Sequence, residues 1–336
     1  MTTPDNGPVV VERDTQRTQG LYPIDIAFAD YDRTRPIIDG RVKPQGIALK
    51  ANTAWIGDFC TRPVYEDYDA AEMSFSWYLA ARDRGEPCLA IPVFPLRMAV
   101  WAYCFVRADS GITKPSDLIG KRIGVQGYRY TVHLWLRGLF KEHYGFSPEQ
   151  ANWVSSETEG AGYVVPKGIN VEIRKGSTPE EKLESGEVDA IWLTSVAKPF
   201  LDGKPWIRRL FPDTQGEMQS FVKRTGIMPI THTIVLKKQL AEREPWIAKS
   251  LYTMFADAQR SADEIYQGDP KLSSLYDSVF IEEQQKAAYG ANPYAQGLGG
   301  PNRKIVETFV RYAHDQGYIS RRIPVEELFV PGTLDL

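Results

Sequence analysis

Short apolar runs punctuated by Gly and Pro, alternating with stretches of helical period, give the chain its outline. Residues 24–28 alternate apolar and polar positions and predict a first strand; residues 46–50 and 68–76 read as further strands, the last carrying Ser74 and Ser76 at its end. Residues 77–84 read as a helix, and 89–97 as a short strand closed by prolines, so that Arg97 emerges at its end. The apolar and aromatic stretch 98–107 predicts one long strand crossing between domains. Beyond it, 114–125 fits a short helix, a turn and a strand, and 132–144 an amphipathic helix with Leu134, Trp135, Leu136, Leu139 and Phe140 on its apolar side. Strands at 172–174 and 188–193 flank a helix at 179–185, the alternation of a parallel α/β layout. Residues 239–266 carry Leu240, Trp246, Ile247, Leu251, Met254 and Phe255 at helical spacing, a stripe read as core packing. A Gly/Pro/Asn-rich loop at 290–302 and a helix at 303–316 close the pattern.

One stretch gathers the rest around it. Arg224-Thr225-Gly226-Ile227-Met228-Pro229 punctuates a turn, and Ile230-Thr231-His232-Thr233 leads into apolar Ile234-Val235-Leu236. His232 therefore stands where loop becomes strand, the place where ligands meet open α/β sheets. Thr231 and Thr233 frame it with hydroxyls able to fix its tautomer, and an imidazole so held can donate a proton near neutral pH. A satisfied strand-end histidine accounts for the same residues.

Composition narrows the partners. A chain of 336 residues is long enough for two ordinary domains, and 43% apolar with 25% charged residues describes a globular protein. A formal charge of -3, with no basic cluster interleaved with aromatics, argues against a nucleic-acid surface and leaves small molecules or proteins. No run approaches the roughly 18 apolar residues of a membrane span, and the first twenty residues lack a basic and apolar export signal, so a disordered leader (1–20) and a cytoplasmic location are expected. Cys60, Cys88 and Cys104 form neither CxxC nor a Cys/His metal pattern and read as small buried hydrophobes. No cofactor is expected; a divalent metal held by ligands converging from distant segments stays open, as does a homo-oligomer built on the apolar C-terminal helices. Walker, GxGxxG, HExxH, EF-hand and GxSxG motifs are missing.

Two further stretches carry chemistry. In Ala29-Asp30-Tyr31-Asp32-Arg33-Thr34-Arg35-Pro36, Arg33 and Arg35 can present guanidinium forks to one small anion or to two neighbouring carboxylates; a solvated turn with Asp32 paired to an arginine fits equally. In Gln126-Gly127-Tyr128-Arg129-Tyr130-Thr131, a Gly-containing loop between a strand and a helix N-terminus makes an anion cradle in which Thr131 caps the helix or touches ligand. His133 shares that turn, where a surface histidine is common.

Asp117-Leu118-Ile119-Gly120-Lys121-Arg122-Ile123-Gly124-Val125 and Leu183-Glu184-Ser185-Gly186-Glu187-Val188-Asp189-Ala190 resemble second-lobe signatures of nitrate, sulfonate and thiamine-precursor binding proteins. The resemblance implies the type II periplasmic-binding-protein fold: two α/β lobes with mixed sheets and a ligand cleft between them, lobe 1 from 21–105 plus 220–336 and lobe 2 from 106–219. Tyr31 through Pro36 with Asp39-Gly40-Arg41-Val42, Ala71-Glu72-Met73-Ser74, Ile91-Pro92-Val93-Phe94-Pro95, Arg224-Thr225-Gly226-Ile227, Pro229-Ile230 with His232-Thr233, and Pro301-Asn302-Arg303 with Glu326-Glu327-Leu328-Phe329 look like the 4,5-dihydroxyphthalate decarboxylase family. Departures from its pattern stand at Val100-Trp101-Ala102, Arg129-Tyr130 and His133; at cleft-lining positions they would imply a less polar or differently hydroxylated acid.

The family implies nonoxidative loss of CO2 from a hydroxylated aromatic dicarboxylate. For that chemistry His232 is expected to protonate the ring carbon and Arg33 and Arg35 to hold carboxylates, with Arg97 as a third clamp. Asp32 or Glu72 is expected to accept the phenolic proton, and Ser74, Ser76, Tyr128, Thr131 and Thr231 to contact or orient the ring. A related proton-transfer enzyme on a carboxylated ring, and a cytoplasmic solute-binding or sensor protein, are the competing readings.

Overall fold

The structure is a computed structural model that describes residues 9–10, 20–53, 57, 63–159, 163–266, 277–290 and 292–336. Its strands in chain order are β1 (Val9–Val10), β2 (Tyr22–Phe28), β3 (Ile47–Thr53), β4 (Ala70–Ser74), β5 (Cys88–Ile91), β6 (Cys104–Arg107), β7 (Arg122–Val125), β8 (Asn152–Ser155), β9 (Asn170–Ile173), β10 (Ala190–Trp192), β11 (Ile207–Arg209) and β12 (His232–Lys237). They form two six-stranded sheets in two compact units. Of the leader, only Val9–Val10 is described before residue 20, and it pairs antiparallel with Asn52 and Thr53. Cys60 lies outside the described residues.

Unit 1 comprises the chain up to Arg97, Ile230–Glu307 and Ile323–Leu336. Its sheet runs β1-β3-β2-β4-β12-β5, with β2 parallel to β3 and β4, and β12 antiparallel to β4 and β5. The helical stripe predicted for 239–266 is two helices, Lys238–Arg243 and Pro245–Tyr266, because Pro245 cannot continue the first and opens the second. Ile247, Leu251, Met254 and Ala258 recur at helical spacing and enter one core with Ile24, Ile26, Phe28, Ile234 and Leu236 of the sheet. Cys88 is buried in β5, and burial pushes its thiol up to about 12.

Unit 2 comprises Met98–Pro229 and Thr308–Arg322, ordered β11-β6-β10-β7-β8-β9. The expected long strand at 98–107 is absent: Val100–Tyr103 forms a 3-10 turn and only Cys104–Arg107 is extended. That strand pairs with β10 and β11, which moves the boundary from 105 to 97 and places all of 98–229 in this unit. The departures at Val100 and Trp101 are fully buried packing, Trp101 lying against Phe221 with ring centroids 4.8 Å apart. Helix Thr214–Thr225 escapes the hydrophobic pattern because only Thr214, Phe221 and Val222 of it are buried. Its ends are nevertheless written locally: the Asp213 side chain caps the Gly216 N–H at 2.9 Å, and Gly226 terminates it with φ 71°, a left-handed position that favours glycine.

Aromatic rings fill this second core, among them Trp153 against Trp192 at 4.9 Å and Trp135 against Phe309 at 4.8 Å. Gly138, inside helix Thr131–His143, admits the Tyr312 ring so closely that a Cβ would stand 2.2 Å from its Cδ2. Gly138→Ala is therefore expected to lower the stability of the full chain by ~1–3 kcal/mol through overpacking. Urea unfolding checks this, and an unshifted midpoint would mean that the tyrosine ring swings aside freely.

Candidate active site

Register decides what His232 can reach. In the β4–β12 ladder His232 pairs with Ser74, and Glu72 pairs with Ile234. Directly opposed residues share a face, and Glu72 and Ser74 share one by strand alternation, so Glu72 lies diagonal to the imidazole. Its Oε1 is 2.6 Å from His232 Nδ1. The same oxygen accepts the Tyr31 hydroxyl at 2.9 Å, and Oε2 accepts the Ala29 N–H at 3.0 Å, just past the end of parallel β2. Glu72 has no exposed surface, so these three donors replace its water. The carboxylate fixes Nδ1 as the donor and leaves Nε2 as the ring atom able to exchange a proton. His232 is 8% exposed.

The segment Pro95-Leu96-Arg97 fastens the surrounding groups. The Leu96 carbonyl accepts from the Thr231 N–H and hydroxyl, both at 3.0 Å, and from the His232 N–H at 3.3 Å. Arg97 bridges antiparallel to Ile230. Pro95 O accepts the Arg33 Nε, and the Arg33 guanidinium lies over the rings of Tyr31 at 4.1 Å and Tyr294 at 4.7 Å. Arg97 Nη2 donates to Ala295 O at 2.9 Å and Asn302 Oδ1 at 2.8 Å, both neutral acceptors. Burial lowers Arg97 to about 10; the Tyr294 phenol opposes that shift and the Arg33 cation adds to it. Arg33 thus acts on Arg97 as a neighbouring cation and meets Glu72 through the ring and hydroxyl of Tyr31, a pair of guanidiniums suited to a carboxylate-bearing ligand.

The sequence-derived candidates divide accordingly. His232, Glu72, Ser74, Thr231, Arg33 and Arg97 come together in unit 1. Asp32, with its side chain 49% exposed, pairs with Arg33 at 3.1 Å. Arg35 does not join Arg33: it opens the short helix Arg35–Ile38, is 57% exposed and pairs with Asp30 at 2.5 Å. Ser76 is fully buried in helix Phe75–Asp83. Tyr31, Tyr294 and Asn302 were not singled out as site residues. Tyr31 and Asn302 do lie inside the motifs that carry the family resemblance, whereas Tyr294 gave no signal beyond its place in a Gly/Pro/Asn-rich loop.

Tyr128 and Thr131 belong to unit 2. There the loop of the expected anion cradle is engaged from within the chain, because Glu159 takes the Tyr128 N–H at 2.6 Å and the Arg129 N–H at 2.9 Å. Tyr128 is buried between Trp153 and the Arg137 guanidinium, which lies 3.7 Å from its ring centroid. Arg129 is buried too, donating to Glu159 O at 2.7 Å. His133 bonds Gly127 O through Nδ1 at 2.7 Å, and complete burial lowers it to about 3, so it stands neutral in the interior rather than on the surface. Among the described residues no three His, Cys, Asp or Glu side chains converge to hold a metal, and no helix is long and apolar enough to cross a membrane.

The two mixed sheets define a type II periplasmic-binding-protein fold. The periplasmic sulfonate-binding protein SsuA of Methylobacillus flagellatus matches with a TM-score of 0.58 at 12% identity, over 94% of this chain and 93% of that one. At that identity the likeness speaks for the fold alone. No protein-family model matches the chain. Sequence relatives do: 4,5-dihydroxyphthalate decarboxylase of Comamonas testosteroni is 32% identical over 328 residues, 93% of this chain and 97% of the relative. The enzyme of the same name from Pseudomonas putida is 32% identical over 202 residues, 57% of this chain and 78% of the relative. The chain belongs to the 4,5-dihydroxyphthalate decarboxylase family and is a carboxy-lyase.

Proposed function

We propose that this carboxy-lyase removes CO2 from a hydroxylated aromatic dicarboxylate, 4,5-dihydroxyphthalate or a close analogue, by protonating the ring carbon that bears the departing carboxylate. The observation that carries the reading is the Tyr31–Glu72–His232 hydrogen-bond chain, buried at Glu72 and His232, with the Arg33 guanidinium on the Tyr31 ring and Arg97 near Arg33. His232 Nε2 gives its proton to the ring carbon while electron density from a ring hydroxyl feeds that carbon. The C–CO2 bond then breaks, its electron pair returns to the ring, aromaticity is restored and CO2 leaves. The neutral imidazole takes a proton back from water.

Each neighbouring group has a part in this reading. Arg33 and Arg97 bind the two carboxylates; among the described residues Arg33 Nη2 has no hydrogen-bond partner and can meet one of them. Both Glu72 oxygens are already engaged, so Glu72 positions the imidazole, and Asp32 is assigned the phenolic proton, which it returns to the phenolate once CO2 has left. Of the departures, Val100, Trp101, Arg129 and His133 are buried in unit 2, while Ala102 and Tyr130 are half-buried, so packing accounts for four of the six without a change of substrate.

Incubation of the purified protein with 4,5-dihydroxyphthalate is expected to release one CO2 per substrate and leave a dihydroxybenzoate. In deuterium oxide the product should carry one deuterium on the vacated ring carbon. Binding without CO2 release would refute the substrate assignment, and product lacking ring deuterium would refute carbon protonation from an exchangeable donor.

A further inference from the structure

We propose that Tyr31 is a positioning residue coupling the carboxylate clamp to the proton donor, so that holding the substrate and delivering the proton depend on one side chain. This rests on the assignment of His232 as proton donor made above. The two ends of Tyr31 do different things. Its ring face carries the Arg33 guanidinium, 4.1 Å from the centroid. Its hydroxyl donates at 2.9 Å to Glu72 Oε1, the same oxygen that stands 2.6 Å from His232 Nδ1.

The loop that presents Tyr31 is closed on itself, which gives the coupling a fixed geometry. The Tyr31 N–H donates to Thr34 Oγ1 at 2.8 Å, the Thr34 hydroxyl donates back to Ala29 O at 2.8 Å, and the Tyr31 carbonyl accepts from the Thr34 and Arg35 N–H groups at 3.1 and 2.8 Å. The Ala29 N–H is itself on Glu72 Oε2. A carboxylate drawing on Arg33 therefore pulls on a cation seated on Tyr31, whose hydroxyl is one of the three donors orienting Glu72. Glu72 Oε1 in turn sets the angle of the imidazole, where small errors of placement are felt in rate.

The two ends separate by substitution. Tyr31→Phe keeps the ring under Arg33 and removes only the hydroxyl; it is expected to lower kcat about tenfold with KM within about twofold. Tyr31→Leu removes both and should show the same loss in kcat together with a KM raised about fivefold or more. In a His232→Gln background the Tyr31→Phe change should alter kcat by less than about twofold, because a residue acting through the imidazole has nothing left to act on. Wild-type kcat in Tyr31→Phe would overturn the coupling, as would a KM raised as much by Phe as by Leu, or a full additional tenfold loss in the His232→Gln background. Should Tyr31→Leu fail to fold, the Tyr31→Phe and double-variant results decide alone. Failure of the underlying reading has its own mark, wild-type turnover in His232→Gln by itself.

Discussion

Replacing His232 by Gln lowers kcat by about 10²–10⁴, the range lost when a general acid is removed, and leaves KM within a few-fold. Gln keeps the backbone pairing opposite Ser74 and can still offer an amide N–H towards Glu72, so the buried carboxylate is not stranded. What disappears is a group at the Nε2 position with a proton to give. Steady-state measurement of CO2 release, beside a thermal melt showing the variant folded, checks the expectation. Turnover at the wild-type rate would remove His232 from the chemistry. The carbon would then have to be protonated by some other group, with Asp32 or a bound water next to be tried. A KM rise at unchanged kcat would instead make His232 a substrate contact.

How far the site could be read from the chain is set by how local each signal is. Gly226, Pro229 and the apolar run from Ile234 fix the turn and strand around His232 within about ten residues, and the structure duly opens β12 at His232. Glu72 was reached through the family motif, as one of two carboxylates to accept a phenolic proton, and its place beside His232 could not be read from its own strand. It depends on a ladder joining residues 160 positions apart in sequence, in which one step of slip would turn Glu72 to the other face of the sheet. The loop of the anion cradle shows the same limit in reverse. Its loop and helix N-terminus were legible, but the carboxylate that occupies the amides comes from Glu159, about thirty residues downstream.

The lobe boundaries show a different limit. Apolar character alone predicted one strand at 98–107, and nothing in that property distinguishes a buried 3-10 turn at Val100–Tyr103 from an extended segment. Helix Thr214–Thr225 was missed because the pattern weighs apolar residues, while that helix is specified mainly at its ends, by the Asp213 cap and the Gly226 stop. The family resemblance supplied what periodicity could not, because separated motifs carry information about residues that meet only after folding.

Arg33→Ala raises KM by about 10–100-fold with a smaller change in kcat, whereas Arg35→Ala stays within about threefold of wild type in both. The two arginines are two residues apart and looked equivalent in the sequence, yet the chain gives them opposite surroundings. Arg35 is the first residue of a short helix with Pro36 behind it, and it spends its charge on Asp30 at the surface, where an ion pair contributes ~0–1 kcal/mol. Arg33, two residues earlier, is only 14% exposed in its side chain, held by Pro95 O and between two tyrosine rings. A charge so placed is weakly hydrated before the ligand arrives, so its hydrogen bonds to a carboxylate lose less to water than those of Arg35 would. Because the carboxylate that remains on the ring is charged throughout the reaction, Arg33 should bind ground state and transition state nearly alike, which places the loss in KM. Comparing the two variants with a dicarboxylate and its monocarboxylate analogue completes the test. The Arg33→Ala penalty should shrink when the second carboxylate is missing, and an equal penalty for both substrates would detach Arg33 from that carboxylate.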